Sequence, residues 1–449
     1  MKHKTSGHML LDILGLIGSR VMLVIFGLAT GIITARLLGP YDRGIFTVLL
    51  LLPMTLVNFA KMGVAQANVY YIRRRGASVS SVASNSLVLS IVVSVVLMAA
   101  CYFLRPWVID PFTKGARGTL VVLALTAIPF TMVESYFLSI LQAVEDFRAY
   151  NLQSIYKAIF GFLTIAVALL ALHGRLWAAL LSQILVTAGA NIWLLYRVRK
   201  IAPFGLRWDG ALGRGMLEFG AKSYLQTLAA HLHYRVDVYL IAYFLDPAQV
   251  AFYSIAVNIT NPILQIPDAI GTVIFPKLAG SNEADAHART AVTCRHTLFA
   301  TILAAFFYAG VGSQALTIFY GDRYAPAIRP MLLMLPGIIM ISLYQILTRN
   351  FTSRNRQQVN IVAAGIALGV NFTLNLILIP RFGISGAAVS TAISYTLAAL
   401  LLLYIFVRES GGSLRGTIMI RAADLASYPR MLAAAGDHLR GREARRTAA

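Results

Sequence analysis

Apolar runs alternate with short polar breaks along most of the chain. Twelve runs are long enough to cross a bilayer, which requires about 20 mainly apolar residues. Their approximate bounds are 11–35, 44–70, 82–104, 119–142, 150–172, 176–197, 215–244, 250–275, 291–312, 327–349, 357–380 and 386–407. Proline, glycine and charged residues fill the breaks, and proline and glycine end helices for steric reasons. The pattern predicts an all-α integral membrane protein with about 12 transmembrane helices.

The two halves of the chain align with each other. The stretch Ala35-Arg-Leu-Leu-Gly-Pro falls on Ala242-Tyr-Phe-Leu-Asp-Pro, and the same alignment places Pro129 on Pro336. Each half has six predicted helices, so both halves enter the membrane from the same side, as parallel repeats do. We predict two six-helix lobes, related by a parallel pseudo-repeat, around a central cavity. The predicted segments are an N-lobe (1–200), a cytoplasmic linker (201–214), a C-lobe (215–408) and a basic cytoplasmic tail (409–449).

Composition agrees with a membrane location. Of the 449 residues 58% are hydrophobic and 13% charged, whereas soluble domains have about 25% charged residues. A net charge of +21 would indicate nucleic acid in a soluble protein. Here most of the 39 Lys and Arg residues fall in segments on the same side as the N-terminus. This asymmetry predicts two cytoplasmic termini, and it explains the charge through the lipid bilayer, without a nucleic-acid partner.

Charged and amide side chains interrupt the seventh and eighth predicted helices. A charge near the bilayer centre costs at least about 2.5–3.5 kcal/mol on insertion scales, and it is tolerated where it faces a partner or a water-filled cavity. These side chains therefore predict an aqueous interior and a functional site. They are Arg235 and Asp237 in the seventh helix and Asn258, Asn261, Gln265 and Asp268 in the eighth.

Four short segments carry a family resemblance. They are Thr34–Gly44 (TARLLGPYDRG), Tyr234–Tyr239 together with Phe252–Ala256, Gly271–Lys277, and Ile379–Ala388 (IPRFGISGAA). These segments resemble the Wzx-like polysaccharide flippases of the multidrug/oligosaccharidyl-lipid/polysaccharide exporter superfamily. They mark the family, but they do not mark the substrate.

The resemblance implies a bacterial inner-membrane flippase that moves a polyprenyl-pyrophosphate-linked oligosaccharide to the outer leaflet by alternating access. It would serve lipopolysaccharide (O-antigen), exopolysaccharide or capsule biosynthesis, with a polysaccharide polymerase and glycosyltransferases as partners. It also implies a cationic central cavity and an ion gradient as the driving force.

The implied substrate has a pyrophosphate head, a polar glycan and a hydrocarbon tail. Guanidinium and ammonium groups would compensate for the water lost around the phosphates, and the planar, multi-donor fork of arginine suits this best. The predicted cationic lining residues are Arg20, Lys61, Lys157 and Arg235. The predicted partners of sugar hydroxyls are Asn58, Gln66, Asn258, Asn261 and Gln265.

Each of these residues also has a structural interpretation. Arg235 and Asp237 are two positions apart and face different sides of a helix, so each could pair with a neighbouring helix. Lys61 could extend its ammonium to the membrane surface. Three acids could bind a coupling proton or sodium ion, and pairing with the cations is the alternative for all of them. They are Glu134, Asp237 and Asp268.

Two rival functions stay open at this level. A cation-coupled multidrug exporter of the same superfamily would favour acidic cavity residues, whereas cations outnumber acids within the predicted helices. A membrane-embedded glycan polymerase or ligase would need a large outer loop with catalytic groups, but the longest outer connection, 105–118, is short and holds a single acid, Asp110. The chain has no GxxxxGK[ST] or HExxH motif, so we expect no catalytic residues, metal or cofactor.

Overall fold

The computed structural model describes residues 6–171, 176–233, 235–421 and 424, with side chains except at 6–21, 171, 222–233, 276, 277 and 279. Throughout this part the regular structure is helical, with short π and 3₁₀ turns between some helices. The predicted all-α fold is therefore confirmed.

The α-helices are α1 (Ser6–Ala60), α2 (Val64–Arg73), α3 (Val79–Leu104), α4 (Gly118–Leu125), α5 (Ala127–Ala143), α6 (Phe147–Ala166), α7 (Leu176–Ile201), α8 (Gly210–His233), α9 (Val236–Phe244), α10 (Pro247–Thr260), α11 (Gln265–Ala279), α12 (Glu283–Tyr320), α13 (Ile328–Ser353), α14 (Gln357–Ser410) and α15 (Leu414–Ile418).

Eight continuous helical stretches in the described part are long and apolar enough to cross a membrane. Two of them, Met22–Ala60 and Gln357–Ser410, each cover two predicted helices. A glycine with positive φ kinks each of these stretches, Gly39 at φ 75° and Gly383 at φ 60°. Side chains other than glycine rarely adopt such a conformation, so the glycines mark the turns between the predicted helices.

The seventh and eighth predicted helices are interrupted rather than continuous. The first consists of α8 and α9, and Arg235 immediately precedes α9 with φ −133° and ψ −13°. The second consists of α10 and α11, joined by the 3₁₀ turn Asn261–Leu264, where Pro262 has no amide hydrogen to continue an α-helix. The polar side chains predicted to interrupt these helices therefore lie at or near real breaks in the backbone.

The second predicted helix ends at Ala60, about ten residues earlier than the apolar pattern predicts. The turn Lys61-Met62-Gly63 follows, with positive φ at Met62 and Gly63. A Cβ added at Gly63 would overlap the carbonyl oxygen of Gly220. This turn therefore packs directly against the backbone of α8, and α2 begins after it.

The chain divides into two compact units. The first unit comprises Met1–Ile259, Gly312–Leu333 and Leu368–Thr391, and the second comprises Thr260–Val311, Met334–Ala367 and Ala392–Ala449. Each unit combines segments that are distant in the sequence. The proposed lobe boundaries and the internal pseudo-repeat stay predictions.

The core of the first unit centres on α5. Tyr136, Phe137 and Met132 are fully buried there. The buried Asn68 of α2 donates from Nδ2 to the Tyr136 carbonyl oxygen at 3.1 Å and to Ser139 Oγ at 3.0 Å. Buried polar groups are stable when they are hydrogen-bonded in this way, so α2 is fixed against α5.

In the second unit a charged cluster joins the ends of three helices. Arg354, after α13, forms ion pairs with Glu283 of α12 and with Glu409 of α14. Arg295 of α12 donates from Nε to Asp424 Oδ2 at 2.8 Å and from Nη1 to the Gly416 carbonyl oxygen at 2.5 Å. Hydrogen bonds from Arg295 lower the pKa of Asp424, so this ion pair persists at neutral pH and is lost only as acid protonates the carboxylate.

Candidate functional site

A cavity of about 230 Å³ lies within the first unit, and we call it the arginine cavity. Its walls come from the α1 segment that follows the Gly39 kink, from the start of α9 and from α10. Its lining residues are Arg43, Thr47, Leu50, Leu51, Met54, Arg235, Asp237, Val238, Ser254, Val257 and Asn258. The lining residues of α1 recur at helical spacing, so a single face of that helix forms one wall.

Arg43 lies on this wall, and only 8% of its surface is exposed. Its Nη1 donates to Thr47 Oγ1 at 3.1 Å, and its guanidinium lies 5.5 Å from the centre of the Phe46 ring. The Nε atom is buried without a hydrogen-bond partner. Arg43 therefore brings a fixed positive charge to the cavity.

Arg235 lies across from α1 and is half-buried. Within the described part of the chain, its side chain has no ion pair within 4.0 Å and no protein hydrogen bond. The neighbouring Asp237 is 7% exposed, accepts from the Val238 amide at 2.8 Å and accepts from the Tyr253 hydroxyl. Tyr253 Oη also lies 3.2 Å from Thr391 Oγ1. Asp237 is thus held by neutral donors, and the cation pairing considered for it does not occur among the described residues.

A second cavity of about 430 Å³ also lies within the first unit, and we call it the N-half cavity. Leu50 and Met54 line both cavities, which therefore adjoin. Its polar lining residues are Asn58, Thr131, Glu134, Ser135, Lys157, Gln183 and Thr187.

Lys157 and Glu134 form an ion pair in the N-half cavity. The Lys157 Nζ atom lies 2.9 Å and 2.8 Å from the two carboxylate oxygens of Glu134. Their side chains are 33% and 16% exposed, respectively. The pair joins α5 to α6. Because the two charges are opposite, these residues give the N-half cavity no net charge.

The structure places the other predicted site residues elsewhere. Lys61 lies in the turn before α2 and Gln66 lies on α2, and both are half-buried and outside the two cavities. Asn261 and Gln265 belong to the second unit and are exposed. Asp268 of the same unit lies 3.0 Å from Arg349. The side chain of Arg20 lies outside the described residues.

Of the predicted residues, the arginine cavity brings together Arg235, Asn258 and Asp237, and the N-half cavity brings together Asn58, Lys157 and Glu134.

Arg43 is a site residue that the sequence pattern does not identify. The break at Gly39-Pro40 ends the first apolar run and places Arg43 between the predicted helices 11–35 and 44–70. The structure starts the next helical segment at once and buries the side chain. The spacing of Arg43 and Thr47 with Leu50 and Met54 is the signal that could have placed Arg43 on an inward face.

The fold is similar to the folds of solved membrane transporters and flippases. The lipid II flippase MurJ, in an inward closed conformation, superposes with a TM-score of 0.72 at 16% identity, over 89% of this chain and 90% of that chain. An inward-facing multidrug resistance MATE transporter of the MOP superfamily superposes with a TM-score of 0.67 at 14% identity, over 87% of this chain and 94% of that chain.

The family model described as "Polysaccharide biosynthesis protein" matches residues 10–282, more than half of the chain. The chain belongs to this family.

Two curated proteins are similar to this chain in sequence. The "Putative O-antigen transporter" of Shigella flexneri is 23% identical over 295 residues, which is 63% of this chain and 68% of that protein. The "Probable low-salt glycan biosynthesis flippase Agl15" of Haloferax volcanii is 24% identical over 218 residues, 48% of this chain. The match spans less than half (46%) of the Haloferax protein. These relatives are named as transporters and flippases, not as enzymes.

Proposed function

We propose that this protein is a flippase that moves a polyprenyl-pyrophosphate-linked oligosaccharide across the membrane by alternating access. We place it in a bacterial inner membrane with both termini in the cytoplasm, in a pathway that builds a cell-surface polysaccharide. Its partners in this proposal are the lipid-linked glycan, the bilayer, a polysaccharide polymerase and glycosyltransferases. Membership of the polysaccharide biosynthesis family and the names of the relatives support the class of cargo.

The arginine cavity is the observation that carries the proposal. It contains the guanidinium groups of Arg43 and Arg235 and one carboxylate, Asp237. Two cations against one acid favour an anionic cargo over the organic cations that a multidrug exporter would carry. A cavity with walls of Leu and Met excludes water in part, which strengthens charge–charge attraction relative to bulk water.

The N-half cavity supports the glycan part of the proposal. Its amide and hydroxyl side chains, among them Asn58, Ser135 and Thr187, suit hydrogen bonding to neutral sugars. Because it adjoins the arginine cavity, a head group could place its phosphates in one cavity and its sugars in the other. In other states of the transport cycle, the cargo would then meet the remaining predicted residues, Lys61, Gln66, Asn261, Gln265 and Arg20.

Ion coupling is a further part of the proposal. Asp237, Tyr253 and Thr391 form a buried group of oxygens that joins α9, α10 and α14. Asp237 and Arg235 interact electrostatically. A proton or sodium ion bound at Asp237 would therefore neutralise the negative charge that Arg235 experiences. Glu134 and Asp268 are the other candidate coupling residues, and each is engaged in an ion pair in this conformation.

The test is glycan export in cells that lack the endogenous protein. Arg235→Ala should lower surface polysaccharide at least about tenfold, since charge-assisted hydrogen bonds contribute about 1.5–3 kcal/mol. Lipid-linked glycan should accumulate in the inner leaflet, with protein abundance unchanged. Arg235→Lys should recover only part of the export, because an ammonium lacks the bidentate fork.

Arg148→Ala is the matched control, since Arg148 is exposed and lines neither cavity. Full export by the Arg235→Ala variant would contradict the proposal. Unchanged polysaccharide combined with increased sensitivity to cationic drugs would instead assign the chain to multidrug export.

A further inference from the structure

A buried ion pair anchors the residues that follow α14 to the second unit. We call residues 411–421 together with Asp424 the strap. Arg295 of α12 is 5% exposed, and its Nε and Nη2 atoms donate to the two carboxylate oxygens of Asp424 at 2.8 Å and 3.2 Å. Its Nη1 atom donates to the Gly416 carbonyl oxygen. One guanidinium therefore fixes the strap to α12 at two points.

The strap also has order of its own. The Ser413 side chain caps α15, and the Arg421 amide donates to Asp424 Oδ2 at 3.0 Å. Thr417 is buried, and Ile418 packs against an apolar cluster of the second unit. These contacts determine which side chains of the strap face inward, and they leave the others exposed.

Three arginines of this region have exposed side chains. They are Arg408, in the last turn of α14, Arg415 and Arg421. None of them lies within 4.0 Å of a carboxylate among the described residues. The two acids of residues 408–424 are engaged by other arginines, since Asp424 pairs with Arg295 and Glu409 pairs with Arg356. The exposed surface here therefore carries a net positive charge.

Two large apolar side chains are exposed beside these arginines in the sequence. Leu414 and Met419, on the strap, are 50% and 58% exposed. The strap directly follows α14, which is long and apolar enough to cross a membrane. Such a combination fits an anionic lipid interface, where apolar groups enter the acyl boundary and arginines meet the phosphates. An acidic protein would match the charges alone, and the apolar side chains therefore favour lipid.

We propose that the strap and the end of α14 form a binding surface for the head groups of anionic phospholipids, held in position by the Arg295–Asp424 ion pair. Each basic side chain at a membrane surface enriches anionic lipid about fivefold. The inference rests on the proposed function only for the side of the membrane, the cytoplasmic one. It does not depend on the cargo.

The experiment places a fluorophore on the strap and measures which lipids surround it. Met419→Cys in the full chain is labelled with a maleimide fluorophore, and the native Cys101 and Cys294 are buried. The protein is placed in nanodiscs with the same small fraction of nitroxide-labelled phosphatidylglycerol or phosphatidylcholine. A nitroxide quenches only a nearby fluorophore, so the two degrees of quenching give the local concentration of each lipid.

The local concentration of anionic phosphatidylglycerol should exceed that of zwitterionic phosphatidylcholine at least about fivefold. Removing the three exposed charges together should abolish this enrichment, in the triple variant Arg408→Gln/Arg415→Gln/Arg421→Gln. The matched control removes the same charge from exposed arginines of the first unit and should keep the enrichment. It is Arg74→Gln/Arg199→Gln/Arg207→Gln.

Asp424→Asn tests the role of the ion pair. This substitution makes the strap one charge more positive, so a surface governed by charge alone would enrich phosphatidylglycerol further. Because the ion pair positions the arginines, the enrichment should instead fall at least about twofold, and Asp424→Glu should retain most of it.

Equal concentrations of the two lipids at the strap, or the same enrichment in both triple variants, would overturn the binding surface and leave the export result for Arg235→Ala untouched. A rise in enrichment with Asp424→Asn would overturn the positioning role of the Arg295–Asp424 ion pair.

Discussion

The charged residues within the membrane-spanning helices differ in how they are compensated. Lys157 and Glu134 neutralise each other within 3 Å, and Asp268 pairs with Arg349. Arg43 and Arg235 have no such partner among the described residues. Since a paired charge is stable without ligand and an unpaired one is not, the second group carries the argument for binding.

The ion pair in the N-half cavity is tested by breaking it. Lys157→Met should lower the free energy of unfolding by about 1–2 kcal/mol, because it leaves Glu134 without its cation. This is less than the 3–5 kcal/mol typical of fully buried pairs, since the Lys157 side chain is partly exposed. Thermal unfolding in nanodiscs measures the effect.

The double variant Glu134→Gln/Lys157→Met should restore most of this loss, and a double-mutant cycle gives the coupling energy between the two residues. If both single variants melt as the wild type while export fails, the pair acts on the cargo and not on the fold.

At the scale of helices, breaks in regular structure coincide with the polar positions. The interruption before α9 places Arg235 and Asp237 at the start of a nine-residue helix. The kink at Gly39 starts the helical segment that carries Arg43. Breaks in transporter helices are tolerated where they line a cavity, and here the broken helices form the walls of the arginine cavity.

Gly39→Ala tests the kink. The backbone at Gly39 has φ 75° and ψ 171°, a region that is essentially limited to glycine, so alanine there should cost about 1–3 kcal/mol. No neighbouring atom lies within 4 Å of an added Cβ, so the loss would come from backbone strain and not from a clash. Thermal unfolding gives the measurement.

The matched control is Gly27→Ala, on the same helix, where an added Cβ also meets nothing within 4 Å and φ is not positive. Alanine in a helix interior should keep or raise stability there. Equal melting temperatures for both variants would show that the kink is not strained by a side chain.

On the scale of the molecule, the helical segment from Pro40 to Ala60 contacts α10 near its start, and the turn that follows this segment contacts α8. A Cβ at Gly44 would overlap the Pro247 carbonyl oxygen, and a Cβ at Gly63 would overlap that of Gly220. Both contacts lie within the first unit. Alternating access, as proposed, would have to separate one contact while keeping the other.

Gly44→Ala should therefore favour conformations that open near Pro247. The reporter is Asn258→Cys in the arginine cavity, labelled by a membrane-impermeant maleimide that is added from outside. Its labelling should rise at least about fivefold, because a bias of about 1 kcal/mol toward the open conformations raises their population by about that factor. The native Cys101 and Cys294 are buried and should contribute little background. Gly27→Ala, combined with the same reporter, should leave labelling unchanged, and a fall in labelling with Gly44→Ala would contradict the expected direction.

The sequence by itself determined the all-α membrane fold, because bilayer thickness requires long apolar runs and those runs are visible in one dimension. It also located Arg235, Asp237 and Asn258, since polar groups within apolar runs are costly and stand out. Only the tertiary structure decided which charges are paired and that Arg43 faces a cavity. Lipid and protein interior are equally apolar, so hydrophobic periodicity cannot tell a lipid-facing side chain from a cavity-facing one. The partners that decide the matter come from other segments, as Tyr253 does for Asp237 and Thr391 does for Tyr253.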